Sequence, residues 1–261
     1  FQGIYRGDNC TADYVNEVKK VIYKINDSSK TLSAFFVEAL MGCGGQIVLP
    51  EGFLKKSFEL VRKSGGLCIA DEVQIGFGRM GTDFWGFETC GVIPDIVTLG
   101  KSIGNGHPLS AVVTTKEIAD QFNNGMEYFN SYGGNPVSCA IGEAVLDVIE
   151  DEGLQENAEI VGSYLIEELF KLQSKYTFIG QIRGQGLFIG IELISNTDTL
   201  KPNKTLAAKI VNQMKDAGIL ISIDGPDHNV LKIKPPMVFN LENANELVIN
   251  LKTIFDKNYD S

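Results

Sequence analysis

The stretch LCIADEVQIGFGRMG, residues 67–81, begins as an apolar run, meets two adjacent acids and breaks into a glycine-bearing loop. A short apolar run bounded by such a loop reads as a buried strand, here 67–71, with Asp71 at its carboxyl end. Thirty residues after Asp71 a second run, DIVTLGK (95–101), closes on Lys101. In open α/β sheets ligands bind outside the carboxyl ends of the strands. An acid and a lysine at two such ends can therefore reach one crevice.

Working outward, residues 11–27 place Val15, Val18, Ile22 and Ile25 on one helical stripe, and LSAFFVEAL (32–40) reads as a buried strand. Residues 51–63 form a helix with Leu54, Phe58 and Val61 on one face, and a further strand is expected over 109–114. Short apolar strands separated by helices predict an α/β fold with a mostly parallel sheet covered on both faces. In YGGNP (132–136), Asn135 caps a helix and Pro136 occupies its first position. That helix runs to about 150, and another spans 154–175. IRGQGLFIGIEL (182–193) reads as a hairpin with Gly184 and Gly186 in its turn. A helix near 204–216, strands at 219–222 and 229–234 and a helix at 242–257 complete a smaller α+β domain. The domains are placed at 1–151 and 152–261.

The 261 residues are 44% hydrophobic and 21% charged, the balance of a globular protein with a sizeable core. A net charge of −10 without a Lys/Arg cluster argues against a nucleic-acid or membrane partner, and no apolar run is long enough to span a bilayer. Five scattered cysteines read as reduced packing residues in an intracellular protein. With two histidines, no metal site is expected. GFGRMG lacks the GK[ST] of a P-loop. The opening FQGIYRGDN reads as loop within a longer chain, so a fragment lacking its N-terminal part is expected.

A lysine desolvated in such a crevice loses its charge readily, and the neutral amine is a nucleophile that forms Schiff bases. A carboxylate left unpaired by that lysine is free to hold a ring nitrogen. Lysine on an aldehyde and acid on a pyridinium are the requirements of pyridoxal phosphate.

IADEVQIGFGRMG, PDIVTLGKSIGNGHP and NSYGGNP, in this order, resemble the class-III, fold-type-I pyridoxal-phosphate enzymes over essentially the whole chain. GMEYFN, YGGNPVSCA and VLKIKPPM resemble more narrowly the ethanolamine-phosphate and 5-phosphohydroxylysine phospho-lyases. The resemblance implies an incomplete pyridoxal-phosphate-binding large domain (1–151) followed by the small C-terminal domain (152–261). It implies Lys101 as the catalytic residue that holds the cofactor, Asp71 on the pyridinium nitrogen, Val73 on the ring face and Gln74 on the ring hydroxyl. Ser131 stands where the family usually has Thr, whose hydroxyl reaches the cofactor phosphate of the neighbouring subunit, implying a homodimer or higher oligomer with shared sites. Family members occupy mitochondria or cytosol.

Two positions depart from the aminotransferase pattern. Lys232, in LKIKPPM, occupies the place of a carboxylate-binding arginine, and Cys43, in EALMGCGG, that of the glutamate gating it. Arg to Lys loses bidentate carboxylate recognition but keeps a point charge suited to phosphate. Lys232 and Cys43 are thus candidate substrate residues of a phospho-lyase that releases phosphate and ammonia from phosphoethanolamine or 5-phosphohydroxylysine. A class-III ω-aminotransferase is the alternative. A fragment inactive on its own is a third reading, because the family's phosphate-binding Gly/Ser loop and ring-stacking aromatic are not in this sequence. Lys232 also reads as a solvated strand-end lysine, and Glu38 as a candidate lining residue. His107 reads as shaping the loop after Lys101, Arg183 as a hairpin salt-bridge residue, Arg79 as structural and His228 as a solvent-facing turn residue.

Overall fold

The computed structural model describes residues 3–7 and 10–259. Of the opening stretch read as loop, Phe1, Gln2, Asp8 and Asn9 lie outside the described residues. The elements in chain order are α1 (Thr11–Asp27), β1 (Ala34–Val37), β2 (Leu40–Met41), β3 (Ile47–Val48), α2 (Phe53–Lys63), β4 (Leu67–Asp71), β5 (Ile96–Leu99), β6 (Ala111–Thr114), α3 (Lys116–Phe122), α4 (Pro136–Asp151), α5 (Leu154–Lys175), β7 (Ile179–Gln185), β8 (Phe188–Asn196), β9 (Lys201–Pro202), α6 (Lys204–Asp216), β10 (Ser222–Asp224), β11 (Val230–Ile233) and α7 (Leu241–Tyr259). They form two compact units. One comprises residues up to 39, 49–77 and 85–151; the other comprises 40–48, 78–84 and the chain from 152.

The first unit is built on a four-stranded sheet in the order β1-β4-β5-β6. β1, β4 and β5 run parallel, as the apolar runs imply. β6 runs antiparallel to β5. The reason lies in the connection: only a short 3-10 turn and a loop separate these strands, and a parallel return needs a crossover of a dozen or more residues. Cover on both faces is also incomplete. β1 lies at one sheet edge with Phe36 exposed, and β6 lies at the other with Val112 and Val113 exposed. β4 alternates, burying Cys68 and Ala70 on one face and leaving Leu67, Ile69 and Asp71 half-buried on the other. α2 buries Leu54, Phe58 and Val61, and the α1 stripe is covered fully only at Ile22. Among the elements absent from the sequence reading, α3 starts at Thr115, whose hydroxyl accepts the Ile118 N–H as a cap.

The second unit carries an antiparallel sheet in the order β10-β11-β8-β7, with β9 on β8. α5, α6 and α7 supply Leu165, Leu169, Ile210, Leu251 and Phe255 to a core shared with Ile189, Ile191 and Leu231. The hairpin expected at 182–193 exists, but its turn is Gly186–Leu187, and Gly184 belongs to β7. Gly186 has φ +54, and a Cβ there would lie 2.3 Å from the Arg79 carbonyl oxygen, so glycine alone fits. The strand expected at 219–222 begins only at Ser222. Gly218 and Ile219 are spent ending α6, their N–H groups donating to the Lys215 and Met214 carbonyls, and Leu220 is exposed.

Candidate active site

β4 and β5 are adjacent parallel strands with Asp71 in register with Thr98. Their carboxyl ends therefore lie side by side, with Lys101 three residues beyond Thr98. Asp71 Oδ1 accepts the Val73 N–H at 3.0 Å, an Asx turn that fixes the side chain. Among the described residues nothing else bonds Asp71, and no acid pairs with Lys101. Lys101 is exposed and sits at φ +41 at the start of a 3-10 turn over Lys101–Gly104. A left-handed non-glycine residue costs on the order of 1 kcal/mol and marks a position held by its surroundings. Beside Asp71, the Thr98 hydroxyl is buried without a partner among the described residues. Val73 faces the backbone immediately before the lysine, since a Cβ on Gly100 would lie 3.4 Å from both its methyl groups. Gln74, in the same loop, is half-buried.

The second acid of the pair behaves differently. Glu72 is fully buried, and its two carboxylate oxygens accept the N–H groups of Gly86 and Phe87 at 2.8 and 2.9 Å. Burial pushes its carboxyl up to about 7, while the two N–H donors pull the other way. Glu72 thereby closes the loop that Asp71 opens. Sequence reasoning assigned it no role; its only signal was a second acid at a strand end.

Ser131 is exposed, in a segment where Tyr128, Phe129 and Tyr132 are exposed too, and no hydrogen bond joins it to Asp71 or Lys101. Asn135 caps α4 as expected, its Oδ1 accepting the Ser138 N–H at 2.9 Å. His107 does shape the loop after Lys101, with Nε2 2.8 Å from Ser138 Oγ.

Cys43 and Lys232 belong to the second unit and are brought onto one network. Cys43 is exposed in the β2–β3 turn, and its carbonyl accepts the Gly225 N–H. Three residues on, Gln46 donates to Asp224 Oδ2 at 2.8 Å. The same oxygen pairs with Lys232 Nζ at 2.9 Å, both side chains being mostly buried. Lys232 is thus neutralised within the chain rather than solvated. A cleft of about 550 Å³ in this unit is lined by Ser222, Lys232, Lys234, Asn243 and Glu246 among others. Arg183 pairs with Glu192 across the hairpin and donates to the Gly45 carbonyl. Arg79 is buried, donates to the Leu187 and Pro235 carbonyls, and is lowered to about 10 by burial. Glu38 is half-buried and His228 exposed at φ +52. No disulfide joins any of the five cysteines; Cys43 and Cys139 are exposed, so these two are not the packing residues expected of them. Among the described residues no three His, Cys, Asp or Glu side chains cluster as metal ligands, and no helix is long and apolar enough to cross a membrane.

The family model for aminotransferase class-III matches residues 4–255. The chain belongs to the class-III aminotransferase family. Within it, an alanine–glyoxylate aminotransferase 2-like protein of Drosophila melanogaster is 49% identical over 95% of this chain and 51% of its own length. Ethanolamine-phosphate phospho-lyase homolog 1 of Caenorhabditis elegans is 46% identical over 92% of this chain and 52% of its own. A phospholyase from Arthrobacter, solved in complex with phosphoethanolamine, superposes with a TM-score of 0.93 at 38% identity, covering 97% of this chain and 61% of that one. The class-III chain spans about half the length of the curated relatives it matches.

Family membership implies pyridoxal phosphate as the cofactor. The donor set fits it. An acid with a free oxygen, a lysine without a counter-ion and an orphaned hydroxyl gather at two neighbouring strand ends.

Proposed function

We propose that this chain carries the cofactor lysine and ring-nitrogen acid of a pyridoxal-phosphate-dependent phospho-lyase acting on a small phosphorylated amine. The observation that supports the cofactor roles is the pair of unpaired charges, Asp71 and Lys101, at adjacent parallel strand ends. Lys101 would hold the cofactor and Asp71 the ring nitrogen; Val73 would pack on the ring and Gln74 bond its hydroxyl. Ser131 would serve the cofactor phosphate of a neighbouring subunit in a homodimer. The residues up to 151 would form the C-terminal portion of the cofactor-binding large domain, and those from 152 the small domain. When bound, the cofactor supplies an electron sink for the carbon bearing the amine.

The Lys101 amine, exposed just beyond the end of β5, would take the proton from that carbon as general base. Asp71 would hold the ring nitrogen, so that the ring could draw electrons from that carbon. The electron pair left behind expels phosphate from the neighbouring carbon, breaking the carbon–oxygen bond. Water then releases ammonia and leaves an aldehyde. Lysine at 232 and cysteine at 43 favour this chemistry, since neither reproduces the bidentate carboxylate switch of a two-substrate transaminase. The likeness to a phosphoethanolamine-bound phospholyase also supports it. The Lys232–Asp224 pair limits what Lys232 can contribute, because an arriving phosphate must share its ammonium with a carboxylate. Transamination is the second reading, favoured by the aminotransferase-like Drosophila relative. Of a mitochondrial and a cytosolic location, relatives named as mitochondrial support the first.

The deciding experiment incubates the protein with phosphoethanolamine, and separately with 5-phosphohydroxylysine, without any keto acid. Phosphate and ammonia released together, and lost in Lys101→Ala, are the expected result. Amino transfer on adding a keto acid, with no phosphate release, would overturn the lyase reading and leave the cofactor roles standing.

A further inference from the structure

Behind Lys101 runs a chain of hydrogen bonds that the proposed chemistry does not use. The lysine's 3-10 turn ends at Gly104, whose carbonyl accepts the His107 N–H at 2.8 Å. His107 Nε2 meets Ser138 Oγ at 2.8 Å. Ser138, mostly buried in the first turn of α4, is itself held twice by Asn135. Its N–H donates to Asn135 Oδ1 at 2.9 Å, and its Oγ accepts from Asn135 Nδ2, also at 2.9 Å. Asn135 Nδ2 donates in addition to the Tyr132 carbonyl at 2.7 Å. The Ser138 hydroxyl thus links the Asn135 cap to His107, sharing one hydrogen bond with each side chain.

No other side-chain hydrogen bond among the described residues reaches the segment from Gly100 to His107. α4 also lies hard against the chain just beyond it: a Cβ on Gly142 would come within 2.7 Å of Leu109 Cδ2. Among the described residues the Lys101 ammonium has no partner, and the residue sits at φ +41, so its direction is set by how this turn is anchored. We propose that His107 is a positioning residue: through Ser138 it pins the turn that follows Lys101 to the capped start of α4, and so sets the direction from which the lysine meets the cofactor. The inference rests on the reading of Lys101 as the cofactor lysine.

The test uses the cofactor-loaded protein and the variants His107→Phe, His107→Gln, Ser138→Ala and the His107→Phe/Ser138→Ala double. Cofactor dissociation constant, pH titration of the bound cofactor's visible absorbance, and thermal midpoint are read for each. His107→Phe and Ser138→Ala should each weaken cofactor retention by ~10-fold or more, as small misplacements of a reacting group do. Each should also move the absorbance titration. The double variant should be no worse than either single one, since both remove the same contact. His107→Gln, whose carbonyl oxygen can accept from Ser138, should recover most of the loss. Wild-type retention and titration alongside a lowered thermal midpoint, or losses that add in the double, would overturn the positioning role. A wild-type protein that takes up no cofactor through Lys101 would overturn the reading beneath it, and shows itself before any variant is compared.

Discussion

The charged residues singled out in the two units differ in how they are partnered. In the second, Lys232 is paired with Asp224 and Arg183 with Glu192, both pairs largely withdrawn from water. In the first, Asp71 and Lys101 stand at neighbouring strand ends with no ion pair between them. Mutual attraction need not repay the hydration a buried pair loses, but losing one partner strands the other charge, so the pair is held together. Charges left unpaired at the carboxyl ends of parallel strands are the ones available to a ligand. Under the proposed assignment Asp71 and Lys101 would serve the cofactor, whereas Lys232 and Arg183 are engaged by carboxylates of their own unit.

The largest break in this comparison should come from Lys101→Ala, which removes the proposed base and cofactor anchor together. Turnover should fall by about 10²–10⁴-fold or more, with the thermal midpoint little changed, because Lys101 is exposed. Comparable losses in stability and turnover would mean that Lys101 is scaffold after all.

Next in size is the pH response of Glu72, the buried acid beside Asp71. Its carboxyl is raised to about 7 in the fold, against 4.5 ordinarily, so the folded state binds this proton more tightly than the unfolded one. The contribution is fully present below pH 4.5 and is lost as pH rises through 7, a change of about 3 kcal/mol by linkage. Denaturant midpoints from pH 4 to 8 should therefore slope downward more in the wild type than in Glu72→Gln, which has no such proton to lose. Parallel profiles would place the ionised carboxylate comfortably on the Gly86 and Phe87 amides at every pH.

A smaller effect sharpens the other side of the contrast. Asp224→Ala leaves Lys232 buried beside no carboxylate and removes the acceptor of Gln46, for a loss of about 2–4 kcal/mol in urea unfolding. Cofactor uptake should be unchanged. If instead stability holds and phosphorylated amines bind more tightly, Lys232 is a ligand-binding residue that Asp224 merely restrains. Smallest of all, Asn135→Ala should cost about 1 kcal/mol in thermal unfolding through the lost α4 cap.

Much of this was legible beforehand, for local reasons. A five-residue apolar run closed by an acid left few options but a strand, and β4 ends at Asp71 as expected. Asn-Pro ahead of an apolar helix specified the cap and first turn of α4, because capping depends on one side chain and the amides next to it. Ile219 and Leu220 misled, since their apolar character reads as strand while the backbone there is taken by the end of α6. The antiparallel turn of β6 was equally hidden, because pairing direction depends on what the connection can span.

What the sequence by itself determined was the inventory: an acid and a lysine at the ends of two apolar runs, the α4 cap, and the residues at 43 and 232. Only the tertiary structure decided which of these charges were left free. Lys232 looked as available as Lys101 until β10 and β11 placed Asp224 beside it. Glu72, the acid next to Asp71, had no assigned role until two amides fourteen and fifteen residues later closed on its carboxylate. Pattern and propensity act over a few neighbouring residues, whereas the availability of a charge depends on partners that the chain brings from far along its length.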